Sequence, residues 1–305
     1  LGLGILLAGL ILATAPSPMR AEDGPPAAKA IPPEVEDASR NLDVPYEGSE
    51  PQVLDAMFEM AGVEGSDFVV DLGSGDGRIV IEAAKRFGAR GHGVDLNAKL
   101  VDIARARARA AGVADKVTFS VQDIFKTDIS EASVLTMFLY PNVVMKLRPK
   151  ILSTLAPGTR VVSNEYHLGL WRPDKVRVVD SKAGRDGVVY MWMVPARIEG
   201  LWIWEIGPSE KIESTLSYRA KLTQKFQDVG GEVVLDLQPM KVFAARLRGA
   251  DLRFSLSGEI GDRIVRQDFA GRVKGDTITG TVRLSGGMRE TMLPWRAWRA
   301  PETLR

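Results

Sequence analysis

From Asp67 onward, hydrophobic and polar positions alternate between two periods. Short runs rich in β-branched residues predict buried strands, and the stretches between them place apolar residues at helical spacing. Strands are predicted at residues 68–72, 91–95, 117–121, 133–139 and 159–163, helices at 78–87, 99–111 and 143–155, and two closing strands at 176–179 and 188–194. This order is typical of a parallel sheet with helices on both faces. The sequence therefore predicts an α/β fold with a Rossmann-like, doubly wound sheet.

The pattern changes after Pro195. Trp202 and Trp204 open a region in which apolar and polar residues alternate and glycines recur at short intervals. That rhythm predicts successive β-hairpins, with strands at residues 217–222, 231–237, 244–247, 252–256, 264–269 and 277–284. A small antiparallel β-barrel or sandwich is expected. Trp295 and Trp298 are expected in its core, with an apolar mouth for a ligand or acceptor segment as the alternative.

The start of the chain has no amphipathic period. Residues 1–15 form an uncharged apolar run with small residues at 13–15 that suit a cleavage site, and Ala21 is a second candidate end. A signal peptide is expected, with an uncleaved membrane anchor and a buried helix as alternatives. A stretch rich in Pro, Ala and acidic residues follows and predicts a flexible linker. We divide the chain into a signal peptide or anchor (1–21), a linker (22–43), an α/β domain (44–196) and a β-rich domain (200–300).

The amino-acid composition excludes several classes of partner and of functional site. Lys plus Arg number 40 against 39 Asp plus Glu, so the net charge of +1 provides no overall field for nucleic acid, and no nucleic-acid partner is expected. The absence of cysteine excludes disulfides, thiolate zinc sites and cysteine nucleophiles. His92 and His167 are the only histidines and lack metal-ligand spacing, so no metal site is predicted. His92 lies inside a predicted strand and is expected to be structural.

A glycine-rich turn joins the first predicted strand to the first predicted helix. Gly73, Gly75 and Gly77 would let the backbone turn tightly and approach a ligand, with amides of the helix N-terminus directed at it. A dinucleotide-binding loop has its third glycine three residues after the second, whereas here the spacing is two. Asp71 precedes the loop at the strand end. A carboxylate there suits a cationic amino-acid ligand.

Two further acids follow the next strands. Asp95 ends the second strand about 20 residues beyond the loop, where ribose hydroxyls are usually bound. Gln122 and Asp123 follow the third strand, where a carboxylate would accept from an adenine amino group beside the apolar Ile124 and Phe125. Each acid alone would also suit a helix cap. Three acids at successive strand ends instead predict one ligand crevice at the carboxyl edge of the sheet.

These blocks resemble a known family, the seven-β-strand lysine methyltransferases of the ATP synthase c subunit and adenine nucleotide translocase, with their bacterial relatives. The resemblance spans about residues 43–174 and is carried by residues 44–46 (VPY) with Ser49, 71–78 (DLGSGDGR), 88–91 (GARG), 122–125 (QDIF) and 157–163 (PGTRVVS). It implies S-adenosylmethionine as cofactor, a protein lysine as acceptor, and Tyr46 over the cofactor near the transferred methyl group. The signal-like start and the added carboxy-terminal region depart from the eukaryotic members.

Candidate acceptor-binding groups follow strands four and five. Tyr140 and Asn142 follow the fourth strand, and Glu165, Tyr166 and His167 follow the fifth. With Tyr46, the residues Tyr140, Asn142 and Glu165 form the predicted catalytic set. The alternatives are that the tyrosines are packing aromatics and that Glu165 is a solvated loop acid.

The sequence therefore predicts a protein-lysine methyltransferase. A small-molecule or lipid methyltransferase and a non-catalytic exported binding protein are the alternatives. The protein is expected to be membrane-associated through residues 1–15 or exported to the periplasm, with anchoring on the cytoplasmic face also open. Its expected partner is a protein substrate that presents a lysine, with a membrane protein as one candidate.

Overall fold

The computed structural model describes residues 48–180, 187–208, 212, 214–286 and 289–301. The first part contains α1 (Pro51–Ala61), β1 (Phe68–Leu72), α2 (Arg78–Phe87), β2 (Arg90–Asp95), α3 (Ala98–Ala110), β3 (Val117–Val121), β4 (Val134–Met137), α4 (Pro141–Thr154), β5 (Arg160–Asn164), β6 (Lys175–Val179) and β7 (Gly187–Met193). The second contains β8 (Gly200–Ile206), β9 (Leu216–Lys225), β10 (Asp228–Leu235), β11 (Gln238–Lys241), β12 (Phe243–Arg248), β13 (Asp251–Ile260), β14 (Arg263–Lys274), β15 (Thr277–Ser285) and β16 (Thr291–Arg299). The predicted signal peptide or anchor and the linker lie outside these residues.

The strands of the first part form sheet A. Among the described residues it has seven strands in the order β3-β2-β1-β4-β5-β7-β6. The five from β3 to β5 are parallel, and β7 pairs antiparallel with both β5 and β6. The central parallel strands β1, β4 and β5 are nearly all buried because helices cover both faces, as the sequence predicts. All carboxyl ends of β1 to β5 therefore lie along one edge.

One helix that packs on sheet A is not among the helices predicted from the sequence. The helix α1 begins with Pro51 at its first position and ends at Gly62, whose φ is 61°. Its face with Val53, Met57 and Phe58 packs on the β5–β7–β6 side of the sheet. Proline at the start and glycine at the end are local signals of a helix. The apolar spacing between them would have predicted it.

The strands of the second part form sheet B, which is entirely antiparallel. Its order within the described residues is β11-β10-β9-β8-β16-β15-β14-β13-β12. The sheet curls so that β10 and β11 approach β12 and β13, and the Val242 amide donates to the Gly231 carbonyl at 3.3 Å. All inward side chains share one core. The region is therefore a nearly closed barrel, and the sandwich alternative does not apply.

Aromatic residues fill the barrel core. The rings of Trp204, Tyr218, Phe254, Phe269 and Trp295 contact one another with centroid separations between 4.7 and 6.2 Å. The expectation that Trp295 is a core residue is correct.

The same expectation for Trp298 is wrong, because that side chain is 44% exposed and lies beneath the Arg296 guanidinium. Trp298 lies three positions beyond Trp295 on β16. Side chains an odd number of positions apart on a strand point to opposite faces.

The barrel joins sheet A at the amino-terminal edge of the parallel strands and along α4. The Ala196 amide donates to the Gly249 carbonyl at 2.8 Å, and the Gln224 side chain donates to the Ala196 carbonyl and accepts from the Ile198 amide, each at 2.8 Å. The chain thus passes between the sheets through a hydrogen-bonded connection. The boundary near residue 196 remains a prediction.

None of the helices in the described part of the chain has the length and apolar character needed to cross a membrane.

Candidate active site

The glycine-rich loop after β1 folds back over the end of β2. The amides of Gly73 and Ser74 both donate to the Val94 carbonyl at 2.9 Å. Gly73 and Gly77 have φ of 78° and 76°, and a Cβ at either position would lie 2.7 Å from a neighbouring side chain. Only glycine therefore fits these two positions without a shift. The loop leads directly into α2 at the carboxyl edge of the sheet.

Asp71 lies under this loop and is fully buried. Its Oδ1 accepts a hydrogen bond from the Thr136 hydroxyl at 2.7 Å. Burial, together with the charges of Asp95 and Asp76, raises the pKa of Asp71 to about 7, and the Thr136 hydrogen bond opposes this rise. A buried carboxyl poised near neutrality favours a cationic ligand, which would stabilise its ionised form.

Asp95 ends β2 and faces the loop. Its Oδ2 accepts from the Gly75 amide and its Oδ1 from the Asn97 amide, both at 2.9 Å. The helix-cap alternative does not apply to Asp95, because Asn97 is the N-cap of α3 and accepts from the Lys99 amide at 3.0 Å. The carboxylate thus stands at the tip of β2, where a ribose ligand was predicted.

Gln122 and Asp123 lie beside Asp95 at the end of β3. The Gln122 amide donates to the Asp95 carbonyl at 3.0 Å, and Asp123 Oδ1 accepts from the Phe125 amide at 2.9 Å. The Phe125 side chain is 43% exposed. This arrangement provides a carboxylate beside an exposed apolar wall, as expected for an adenine site.

A buried ionic cluster fixes the far side of the loop. Asp76 is fully buried and bonds the guanidinium groups of both Arg78 and Arg107. Arg78 also donates to the Ser49 carbonyl at 3.0 Å, and the Ser49 hydroxyl receives the Asn164 side-chain amide at 3.2 Å. The segment before α1 is thereby tied to both the glycine loop and the end of β5. Tyr46, which precedes this segment, lies outside the described residues.

Several buried polar atoms along the carboxyl edge have no hydrogen-bond partner within the described chain: Ser74 Oγ, Ser163 Oγ and Asn164 Oδ1. Buried polar atoms are normally paired, so unpaired atoms at a cleft suggest ligand contacts. They lie in the glycine loop and at the end of β5. The donor set and the glycine cradle therefore fit a nucleoside bearing a cationic amino-acid tail.

Two tyrosines meet just beyond the ends of β4 and β5. The rings of Tyr140 and Tyr166 stack with centroids 6.2 Å apart and planes at 22°. Tyr140 is 40% exposed, so a ligand can reach it. Asn142 lies exposed in the first turn of α4, and His167 packs edge-on against Tyr190. The structure therefore brings the predicted Tyr140 and Tyr166 together.

Glu165 directly follows β5. Its φ is 69°, a left-handed conformation uncommon for residues other than glycine, and its amide donates to the Val188 carbonyl at 2.7 Å. Its carboxylate borders Gly187 next to α1. A strained residue beside a cleft suggests function. The catalytic roles assigned to Tyr46, Tyr140, Asn142 and Glu165 stay predictions.

Thr136 and Ser163 are site residues that the sequence did not reveal. Both sit inside buried strands, where their local pattern is that of core positions. Only the pairing of β4 with β1 brings Thr136 to Asp71. No local signal identifies Thr136, whereas Ser163 ends the 157–163 block that carries the family resemblance. His92 is half-buried on β2 and its Nδ1 bonds Thr118 Oγ1 at 2.8 Å, which agrees with the structural role expected for it.

The strand order, the glycine loop after β1 and the acids at successive strand ends define a class I methyltransferase. Residues 71–175 match the family described as the ANTKMT methyltransferase domain. The chain is 40% identical over 152 residues to a protein-lysine N-methyltransferase of Saccharolobus islandicus, covering 50% of this chain and 94% of the archaeal protein. The chain belongs to this family of methyltransferases. The predicted fold, enzyme class and S-adenosylmethionine cofactor are thereby confirmed.

Animal relatives match over a smaller share of their length. The adenine nucleotide translocase lysine N-methyltransferase of Mus musculus is 40% identical over 43% of this chain and 57% of its own. The human lysine N-methyltransferase of the ATP synthase c subunit is 38% identical over 35% of this chain and 46% of its own. This chain thus spans about half the length of the animal relatives. An RNA methyltransferase from Salinibacter ruber, solved with S-adenosyl-L-homocysteine, is 43% identical with a TM-score of 0.47 and covers 55% of this chain and 100% of that one.

Proposed function

We propose that this protein transfers the methyl group of S-adenosylmethionine to a lysine side chain of another protein. The observation that carries the proposal is the 40% identity to the archaeal protein-lysine N-methyltransferase across 94% of that protein's length. In support, the carboxyl edge of sheet A has a charged, glycine-lined end that suits the cofactor and an aromatic end that suits an acceptor.

The residues of the cleft fit the parts of the cofactor. Asp71 beside the glycine loop would hold the amino-acid portion, Asp95 the ribose, and Asp123 with Gln122 the adenine. When bound, S-adenosylmethionine supplies a methyl group activated by a sulfonium. Direct displacement needs alignment and exclusion of water more than covalent help from the protein. The cleft at the carboxyl edge of sheet A provides the alignment.

The acceptor end suits a lysine amine. A lysine ammonium has a reference pKa of about 10.4 and must lose its proton before it attacks. Burial beside the cationic sulfonium of the bound cofactor would disfavour its charged form, while the unpartnered Asn164 Oδ1 provides an acceptor for an amine hydrogen. The Glu165 carboxylate at the same strand end would take the proton released. No dedicated base deeper in the site is then required.

Transfer of labelled methyl groups to protein tests this function. Purified enzyme and tritiated S-adenosylmethionine are added to an extract of cells lacking the gene, and we expect label on protein bands, in methyl-lysine after hydrolysis. The Asp95→Ala variant is the control, because loss of a charged hydrogen-bond partner should weaken cofactor binding by on the order of 1–3 kcal/mol and reduce labelling. Label confined to lipid or small-molecule fractions would instead favour the alternative acceptor classes. Absence of any transfer would favour a non-catalytic binding protein.

We further propose that the protein acts at a membrane surface. Support comes from the apolar residues 1–15, which lie outside the described residues, and from relatives named for lysine methylation of adenine nucleotide translocase and the ATP synthase c subunit. Confinement of the enzyme to the surface that holds the acceptor would raise the effective concentration of the acceptor. If the protein is instead exported, the same segment belongs to a cleaved signal peptide.

Deleting residues 1–20 should separate anchoring from catalysis. We expect the shortened enzyme to label detergent-solubilised acceptors as the full chain does, while methyl-lysine in the membrane fraction of cells falls. Mass spectrometry of membrane-fraction lysines and the amino-terminal sequence of the mature protein are the measurements. A mature terminus near Pro16 or Glu22 outside the cytoplasm, with no methyl-lysine lost on gene deletion, would contradict membrane-bound lysine methylation.

A further inference from the structure

The hairpin between β9 and β10 reaches from the barrel onto the methyltransferase layer. Lys225 and Asp228 pair, so Phe226 and Gln227 form a two-residue turn. The Phe226 ring stacks on Trp171 with centroids 6.1 Å apart and planes at 15°, and the Arg148 guanidinium lies 5.5 Å from its centroid. Phe226 thus packs into the apolar cluster between sheet A and α4.

The segment that receives Phe226 is the crossover from β5 to β6, residues 165–174. Its first residues include Tyr166 of the acceptor end, and its later part is held from both sides. Arg148 donates to the Leu168 carbonyl at 3.0 Å, and the Trp192 indole donates to the Trp171 carbonyl at 2.7 Å.

The barrel holds this crossover through polar contacts as well. The Gln227 side chain donates to the Arg172 carbonyl at 2.6 Å, and Asp228 pairs with the Arg172 guanidinium at 3.3 Å. The hairpin itself is braced, because the Gln224 side chain donates to the Phe226 carbonyl at 2.7 Å. Backbone, ring and ion-pair contacts therefore all converge on the crossover.

A second hairpin of the same barrel provides a comparison for this packing. Phe226 has a φ of 57° in a turn position that glycine normally fills. The turn between β10 and β11 likewise holds Leu237 at a φ of 85°, yet that side chain is 93% exposed. Of these two turns, only the one with Phe226 uses its side chain to contact sheet A.

We propose that Phe226 is a positioning residue for the acceptor end of the active site. By packing on Trp171 it keeps the β5–β6 crossover in place, and with it the stack of Tyr166 on Tyr140. This inference rests on the proposed function, since the acceptor end matters only in a transferring enzyme. It gives the barrel a role, which is to support the half of the cleft that receives the acceptor.

Variants of the full-length protein test this role. Phe226→Ala should raise hydrogen–deuterium exchange across residues 165–174, whereas exchange in α3 and the affinity for S-adenosylhomocysteine by calorimetry should stay unchanged. Methyl transfer to protein in an extract lacking the gene should fall by about tenfold or more, because small misplacements of reacting groups are costly. The loss should appear as a higher KM for the acceptor protein. Phe226→Tyr should restore both readouts, and Leu237→Ala is the matched control in another two-residue turn of the same barrel.

Gln227→Ala gives a milder test should Phe226→Ala fail to fold, with increased exchange expected in the same segment. Unchanged exchange and transfer in the folded variants would overturn the proposal. Equal losses of cofactor and acceptor binding would also overturn it, since they would show that the hairpin stabilises the whole fold. A wild-type protein that transfers no methyl group would reject the proposed function, while raised exchange confined to residues 165–174 in Phe226→Ala would still support the positioning of the crossover.

Discussion

Replacing Asp71 by asparagine should weaken the affinity for S-adenosylmethionine by roughly 10- to 100-fold, the range expected for losing a hydrogen bond to a charged group. Asp71 is buried, and its pKa is raised to about 7, mainly by this burial and to a smaller extent by the charges of Asp95 and Asp76. A cationic cofactor binds the ionised carboxylate. Wild-type affinity should therefore fall as the pH drops below 7, by about tenfold per pH unit, and the variant should lose this dependence.

The same substitution should stabilise the cofactor-free protein. A carboxyl whose folded pKa is about 7 keeps a proton that the unfolded chain, at the ordinary value of 3.8, has already released. Stability from this group is therefore present at low pH and is lost as the pH rises from about 4 to 7. Asparagine does not ionise and avoids the loss. At pH 8 the free energy of unfolding should rise by on the order of 2–4 kcal/mol.

Calorimetric titration with S-adenosylhomocysteine between pH 6 and 9, and urea unfolding at pH 8, measure these two effects. Asp115→Asn is the matched control, because Asp115 is exposed in the turn between α3 and β3. It should change neither quantity. A variant at position 71 that binds as tightly as wild type would show that the buried carboxyl is not the cofactor's partner. One that unfolds more easily at pH 8 would show that ionisation of this carboxyl does not cost the free protein stability.

Replacing Arg160 by methionine should cost about 2–4 kcal/mol of folding stability. Arg160 begins β5 and pairs with the buried Asp67, whose Oδ1 also accepts from the Ser133 hydroxyl at 2.7 Å. It further donates to the carbonyls of Ala61 and Gly62, at 3.2 and 3.1 Å, where α1 ends. Removing the cation leaves a buried carboxylate without its partner. Arg160 is partly exposed to solvent, which places the cost below that of a fully buried pair.

This ion pair lies at the amino-terminal edge of the parallel strands, opposite the cofactor cleft. The folded fraction of Arg160→Met should therefore bind S-adenosylhomocysteine as wild type does. Urea unfolding of both single variants and of the double variant with Asp67→Asn gives the coupling energy. The double variant should lose less stability than the sum of the two single variants. Additive losses would mean that the pair contributes no interaction of its own.

The cofactor half of the site follows largely from the sequence. Gly73, Gly75 and Gly77, with Asp71 before them, form a local pattern whose geometry depends on the backbone freedom of neighbouring residues. The acids at the ends of β2 and β3 follow from strand periodicity, which local spacing encodes. These features needed no knowledge of distant contacts. The resemblance to known methyltransferases then supplied the cofactor and the reaction.

The neighbours of the acceptor residues and the closure of the barrel depended on tertiary structure. The insertion of β7 between β5 and β6, the pairing of β8 with β16, and the contact of Thr136 with Asp71 join residues far apart in the chain. Periodicity shows which face of a strand is apolar but not which strand lies beside it. The raised pKa of Asp71 and the packing of Phe226 on Trp171 likewise arise only when separate segments exclude water together. The sequence by itself thus determined the chemistry of the loop and strand ends, and only the tertiary structure decided which residues surround them, because burial and pairing are properties of the assembled chain.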